Sequence, residues 1–531
     1  MSPERPVVLH APGLVLRLDP SGTFDAMFDA VSAATPDDAS ATTSWLVGAG
    51  GLTVSTRHGP VPLGPPQVRV DVDEVEVERS GGGLRTVVRH ALEQAWTVRV
   101  VLANDSDAEL VLEQVRLGWR AAAGTVVVAL AAGARAAYAV QPTQGDGPVL
   151  AGRLRSGAQH GVDEAGLLLG PVVLAPHHRW AVQWRWEVVP DARRAAAGRD
   201  LPRTTWLDLG QAIVLPSGPD EAVVAPDLAV EVEDDRVEVS ADDPGPFVLE
   251  LRSARGTTAY PLTWAPDLDD LVDATAEVLL RGPTSPAGTP RLDGPAAGLV
   301  VQDALARRAA GPPDELADAL ELLAGELVEE LDDTVGTGAA DPLTLAFLAR
   351  ETDRTSGTAL LDVATRRLLE TVAPAAGLGL AGVGLALAHV RSGRGATEVV
   401  GHLAALLAGA GSRDDAGLEL ALLLRPRDAV ADEPALAGLR RLGATLGAGL
   451  PGRVVPAVAL ETVAYASTVL GLVDEPTGQR LRQGWGITTS ELARRTAAEA
   501  RARCSAAGPD RGGDAGPGVR RALAWLVLGR R

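Results

Sequence analysis

The chain has no lysine, one cysteine, one asparagine and only 3% aromatic residues in 531 positions. Without lysine, every fixed side-chain cation is an arginine, and 49 basic against 69 acidic side chains leave a formal net charge of −20. That balance lacks the basic footprint that releases counterions from phosphates, so nucleic acid is not an expected partner. The lone Cys504 excludes an intrachain disulfide and a cysteine-cluster metal centre, and a reducing cytoplasm is the expected compartment. No histidine or cysteine spacing matches a zinc site, and neither a metal nor a cofactor is expected. The opening M-S-P-E-R-P lacks the charged start and apolar run of a signal peptide. The longest apolar run begins at Ala373 and ends at His389, is interrupted by Pro374 and is rich in glycine. It is shorter than the ~20 residues a membrane helix needs, so a buried helix is expected there and no membrane partner. Absence of lysine, with a single asparagine, looks like the codon bias of a GC-rich genome and carries no functional weight.

What is present divides the chain by period. Up to about residue 265, runs such as V-V-L-H-A-P-G-L-V-L-R-L-D, Q-V-R-V-D-V-D-E-V-E-V-E-R and G-T-V-V-V-A-L alternate as strands do, punctuated by Gly, Pro, Asn and Asp. S-G-G-G at Ser80 to Gly83 is a turn, because consecutive glycines tolerate positive φ. Many short strands without helices between them predict a sandwich of antiparallel sheets over 1–265. Within it, the segment from Asp227 to Trp264 reads as two hairpins, either the last strands of the sandwich or a small added layer.

From Asp267 the apolar spacing becomes helical, and R-G-P-T-S-P-A-G-T-P follows as a linker, so 266–294 is a helical connector. Residues 295–531 hold roughly ten helical patterns with short turns. In one of them Leu316, Leu320, Leu323, Leu327 and Leu331 form a single apolar stripe, with prolines opening the helix and acids at its positive end. Successive helical hairpins predict an α/α toroid or an open solenoid, and the lack of a fixed-length repeat favours the toroid. The fold class is therefore multidomain, β then α.

Two phrases carry a resemblance. W-T-V-R-V-V-L-A-N-D-S-D-A-E-L-V-L-E-Q-V-R-L, from Trp96, has an N-x-S corner between strands, and G-P-V-V-L-A-P-H-H-R-W-A-V-Q-W-R-W-E-V-V, from Gly170, has a leucine and proline turn before a late strand. Together with the β-then-α plan they resemble glycoside hydrolases and phosphorylases that join a β-supersandwich to an (α/α)6 toroid. The resemblance implies a carbohydrate or small glycoside as ligand, and inorganic phosphate for a phosphorylase. It also implies a toroid mouth lined by aromatics, whereas the helical half offers only Phe347, Tyr465, Trp485 and Trp525. Two carboxylates must flank a scissile glycosidic bond, ~5 to 9.5 Å apart depending on mechanism. No aromatic-flanked acid in a loop meets that requirement on sequence alone.

Among acids, Asp332 and Asp333 at a helix end, Asp341 before a proline and Glu461 in A-L-E-T-V-A-Y are the catalytic candidates. Glu461 is the most unusual, because Leu460, Val463 and Ala464 around it are apolar and burial would suit it to proton donation. Three of the ten tryptophans fall in one strand, where His178, Trp180, Val182, Trp184 and Trp186 face one way and His177, Arg179, Gln183 and Arg185 the other. A sugar-binding platform would use Trp184 and Trp186 with His177 and Arg179. The amphipathic alternation instead favours a core wall. The His177-His178 pair suggests mutarotase-like chemistry, but its partners are not found among the scattered histidines. G-L-G-L-A-G at Gly377 formally fits a dinucleotide fingerprint, yet a helical pattern precedes it, and small residues for close helix packing explain it better. Cys504 has arginines nearby but no histidine partner.

Two functions are consistent with these residues: a carbohydrate-active hydrolase or phosphorylase, or a non-catalytic scaffold or sugar sensor that keeps the architecture. The centre of the helical half discriminates them, since paired acids with a tryptophan support the first and a leucine-filled centre the second.

Overall fold

The computed structural model describes residues 5–11, 13–28, 44–145, 147–196, 204–216, 222–233, 236–253, 256–307, 313–333, 341–410, 415–424, 433–507 and 516–530. Its first half is built of antiparallel sheets. One, of eight strands, orders Val7–Ala11, Leu14–Leu18, Phe24–Phe28, Ser44–Thr56, Gln114–Ala121, Gly166–Leu168 and Gly161–Asp163, with Gly59–Pro60 beside the fourth. The other, of thirteen strands, runs from Ala222–Val224 through Gly245–Ser253, Gly256–Ala265, Thr125–Gly133, Ala137–Pro142, Val149–Ser156, Arg179–Val189, Trp96–Asn104, Leu84–Leu92 and Glu74–Gly81 to Gln67–Val70. Its remaining two strands are Trp206–Asp208, parallel to 256–265, and Arg453–Val455, paired with Thr125–Gly133.

The period-two pattern explains the core. Inward residues of the first sheet (Leu16, Leu18, Trp45, Leu46, Trp119) meet those of the second (Trp96, Tyr138, Val182, Trp184, Trp186) in one apolar cluster. The rings interlock: Trp186 lies over Trp96 with centroids 5.9 Å apart, and Trp119 meets it edge-on at 5.7 Å. Such geometry adds to the area each indole removes from water.

Two continuous alternating runs prove to be hairpins, the first folding into Val7–Ala11 and Leu14–Leu18, which pair antiparallel. Q-V-R-V-D-V-D-E-V-E-V-E-R reverses at Asp71–Asp73, where the Asp71 N–H donates to the Glu74 carbonyl and the Asp71 carboxylate accepts from Val72 N–H. The aspartates thus supply the turn that the valine alternation conceals. The glycine turn forms as expected, with Gly82 and Gly83 at φ 57° and 77°. Of the two late hairpins, Gly245–Ser253 with Gly256–Ala265 joins the large sheet. Ala229–Glu233 with Arg236–Ser240 forms a separate three-stranded layer with Ile213–Pro216, and Ile213, Leu215, Val237 and Val239 of that layer pack on Leu249, Leu251, Leu262 and Trp264.

From Leu268 the elements among the described residues are helices, apart from Arg453–Val455. The leucine stripe of Pro313–Asp333 is buried at all five positions. The helices Pro295–Arg307, Pro342–Thr355, Leu378–Arg391, Asp415–Leu424, Leu460–Gly471 and Pro517–Leu528 form the inner layer of one continuous apolar core. Polar bonds link them in sequence. Gln302 donates to Glu351, the Gly377 and Leu380 N–H groups to Glu419, the Tyr465 hydroxyl to Glu419, Trp525 Nε1 to Glu461, and Arg350 to the Val527 carbonyl. Among the described residues, no helix is long and apolar enough to cross a membrane.

Candidate functional site

Three of the inner helices begin at one place. Asp341 stands at the N-cap of Pro342–Thr355, Glu461 lies in the first turn of Leu460–Gly471, and Arg521 lies near the start of Pro517–Leu528. Asp341 makes no capping bond to its own helix. Its carboxylate instead accepts from Arg521 Nη1 and Nη2 at 3.3 and 3.2 Å, while Arg521 Nε donates to Glu461 Oε1 at 2.8 Å. The same Glu461 oxygen accepts from Trp525 Nε1 at 3.2 Å. One guanidinium therefore joins two carboxylates, and an indole fixes one of them. All three charged side chains are about one-third exposed: Arg521 35%, Asp341 33%, Glu461 38%. Burial alone would lower the Arg521 pKa, but its hydrogen bonds to Asp341 and Glu461 outweigh this and hold it above the ordinary value.

Behind this trio lies a second, dry layer. Trp525 meets Tyr465 edge-on at 5.2 Å, and the Tyr465 hydroxyl donates to Glu419 Oε2 at 2.5 Å. Glu419 also accepts from the Gly377 N–H at 2.6 Å and the Leu380 N–H at 2.5 Å. It is fully buried, and desolvation pushes its carboxyl up to about 7 despite the donors that pull it down. Gly377 adopts φ 91° at the N-cap of Leu378–Arg391, and a Cβ there would run into the Trp525 ring. Glycine is thus required by both conformation and space. Gly382 packs in the same way on Leu403 of the neighbouring helix. This accounts for G-L-G-L-A-G as a helix-packing element, preceded by the helix Thr358–Leu369 rather than by a strand.

Of the sequence candidates, the structure brings together Asp341 and Glu461. It does so through an ion pair and not through an apolar pocket, so the expected burial of Glu461 is corrected: Val463 and Ala464 turn into the core while Glu461 reaches Arg521. Asp332 is elsewhere, exposed and paired with Arg366 at 3.3 Å. The side chain of Asp333 lies outside the described residues.

The platform reading of the tryptophan strand is likewise corrected. Trp184 and Trp186 are 1% and 0% exposed between the two sheets, so neither presents a face to a ligand. His177 and Arg179 are exposed at the start of that strand, where His177 has φ 59° and its Nε2 lies 3.1 Å from Asp107 Oδ1. The N-x-S corner explains this turn. Asn104 is buried and donates through Nδ2 to the Ala108, Leu174 and Ala175 carbonyls, while its Oδ1 accepts from Ser106. The chain's only asparagine thus ties the two phrases of the resemblance together. Cys504 is buried, and desolvation pushes its thiol up to about 12.

Sequence reasoning missed Arg521, Glu419 and the roles of Trp525 and Gly377. A signal for Glu419 exists in G-L-E-L-A-L-L-L, where a lone acid interrupts an apolar helix and must find buried donors. Chemically, the trio offers carboxylate acceptors and guanidinium donors beside an aromatic edge, with two negative charges against one positive. Among the described residues, no group of three or more His, Cys, Asp or Glu is arranged to hold a metal.

No family model matches the chain, and no curated protein sequence does. Among solved structures, the chain is similar to a polysaccharide lyase over 100% of both chains, with a TM-score of 0.71 and 11% identity. Two other matches have TM-scores of 0.24 and 0.17: a GalM/aldose epimerase homologue from C. elegans, at 9% identity over 35% of this chain and 99% of that one, and a glycoside hydrolase of family 81 from Clostridium thermocellum, at 10% identity over 92% and 56%. The first likeness establishes that the β-then-α fold is shared along the whole chain; the weaker two carry no argument.

Proposed function

We propose that this protein acts on or binds a carbohydrate at the mouth of an α/α toroid, where Asp341, Glu461 and Arg521 meet. The observation that carries the proposal is the pairing of two carboxylates by one guanidinium beside Trp525, on a fold shared end to end with a polysaccharide lyase. Carboxylates and a guanidinium are the groups that sugar hydroxyls pair with most strongly, because one partner of each hydrogen bond is charged. Net charge selects among chemistries. Arg521 is already shared between two acids, so an additional anionic group, whether a uronate in an elimination or phosphate in a phosphorolysis, would meet excess negative charge. A neutral glycan or small glycoside fits better, and the two carboxylates then favour a glycoside hydrolase.

The second reading, a non-catalytic scaffold or sugar sensor, is favoured by one specific observation. Trp525 and Tyr465 are 2% and 5% exposed, which leaves little aromatic face for stacking. The test is product analysis and thermal shift with maltose, trehalose, cellobiose, longer glucans, a uronate-containing polysaccharide and glucose phosphates, on the wild type and on E461Q and D341N. A glycan bound at a hundred times its dissociation constant stabilises the fold by about 2.7 kcal/mol. Shift and turnover on a neutral glycan, both lost in the two variants, support the hydrolase. Shift without turnover supports the sensor, and turnover of the uronate polymer alone would replace hydrolysis with elimination.

A further inference from the structure

A cavity of about 630 Å³ opens at the seam between the two halves. Its walls are the short helix Ala192–Ala196, the segment 449–451, and the corner where helix Glu475–Trp485 passes into helix Thr489–Ala507. Three guanidinium side chains line it, Arg193, Arg482 and Arg495, against the single carboxylate of Glu491. The local balance is +3 − 1 = +2, inside a chain whose formal net charge is −20.

The three arginines are held differently. Arg495 is nine-tenths buried and donates to backbone carbonyls only, through Nη1 to Leu450 at 3.1 Å and through Nη2 to Leu446 and Gly447 at 3.0 and 3.2 Å. Burial lowers its pKa, and the charges of Glu491 and Glu499 only partly offset this. A guanidinium whose hydrogen bonds all go to neutral carbonyls keeps part of its positive charge available to an anion, and an anion that joins it offsets the cost of burial. Arg193 and Arg482 are exposed, and neither is in an ion pair among the described residues. Elsewhere in this chain exposed arginines commonly find acids, as Arg291 does with Glu326 and Arg354 with Glu321. Trp485, 7% exposed, forms part of the same wall with Ile487, so apolar surface lies beside the cations.

We propose that this seam cavity is a binding site for a phosphate-bearing small molecule, with Arg193, Arg482 and Arg495 as its phosphate ligands and the Trp485 wall beside its uncharged part. The +2 balance matches a phosphate dianion, guanidinium forks pair bidentately with phosphate oxygens, and the volume exceeds what inorganic phosphate alone would fill. The site is separate from the Asp341–Glu461–Arg521 mouth and does not depend on what that mouth does.

The experiment is calorimetric titration of the full chain with inorganic phosphate, glucose 1-phosphate, glucose 6-phosphate and unphosphorylated glucose, in a phosphate-free buffer. Saturable binding of a phosphorylated probe and none of glucose is expected. Arg193→Gln and Arg482→Gln should each weaken that binding about tenfold, because each removes one charge-assisted contact from an exposed position. Glu491→Gln should tighten it, a gain that a folding defect cannot imitate. Arg521→Gln should leave it unchanged. Absence of saturable binding at millimolar probe, or a loss that follows Arg521 while the seam variants bind normally, would falsify the proposal.

Discussion

The sandwich and the helical half solve opposite problems in burying their cores. Between the sheets, the indole nitrogens of Trp45, Trp119, Trp184 and Trp186 have no hydrogen-bond partner among the described residues, and packing dominates the aromatic cluster, with Trp96 bonded to His90 and Tyr138 to Gln159. In the helical half, Glu351, Glu419 and Arg495 are buried beside leucines, and their bonds tie one helix to the next or fasten a loop. Alternation lets a strand send every polar side chain to the outer face, so the sandwich can keep its interior free of charge. An inner helix has core on most sides, and any acid or arginine on it must be satisfied in place. The exchangeable protons and converging charges are consequently found among the helices, and the tryptophans that draw the eye in the sequence are structural.

Substitutions can break this contrast or sharpen it. The largest effect is expected at Trp186, where W186A removes a ring stacked on Trp96 and met by Trp119, and should cost about 3–5 kcal/mol in denaturant unfolding. Glycan binding per folded molecule should not change, and a selective loss of binding would return that strand to a functional role.

The next effect concerns Glu419. A glutamine would point an amide N–H₂ at backbone donors that now reach a carboxylate, so E419Q should lose about 2 kcal/mol near neutral pH. The sign of the pH dependence follows from the direction of the shift. The folded-state value, about 7, lies above the ordinary 4.5, so this group's contribution is fully present below pH 4.5 and is lost as pH rises to 7. Across that window the wild type should lose on the order of 3 kcal/mol relative to E419Q. Parallel stability profiles for the two proteins would show that Glu419 stays ionised throughout. The smallest effect is expected at His177, exposed in a turn beside Asp107. H177A should alter neither melting temperature nor glycan binding measurably, and a loss of binding there would move the site to the sandwich.

How far these features could be read in advance depends on how local they are. The strand alternation from Arg179 to Val189, the leucine stripe from Leu316 to Leu331 and the helix-packing glycines each report on a single element, and each is legible. Asp341 and Glu461 could be singled out as unusual acids. Their junction could not, because Arg521 arrives from a helix 60 residues beyond Glu461 and 180 beyond Asp341 in sequence. Glu461 looked buried because its neighbours Val463 and Ala464 are apolar; they occupy a different side of the same helix. The Asp71–Asp73 reversal was hidden for the converse reason, since valine at every second position masks a turn made by aspartates.

The strand Arg453–Val455 gives the architecture a temporal side. It lies deep in the helical half of the sequence, yet it pairs with Val127–Ala129 on an edge of Thr125–Gly133 that Gly256–Ala265 covers only at Ala132 and Gly133. A ribosome that has finished the sandwich must therefore translate nearly two hundred further residues before that edge is closed. During that interval the nascent sheet offers unpaired backbone to any other extended chain, a hazard that grows with crowding on polysomes. The two halves differ in period and in chemistry, but the first is not complete as a sheet until the second has been made.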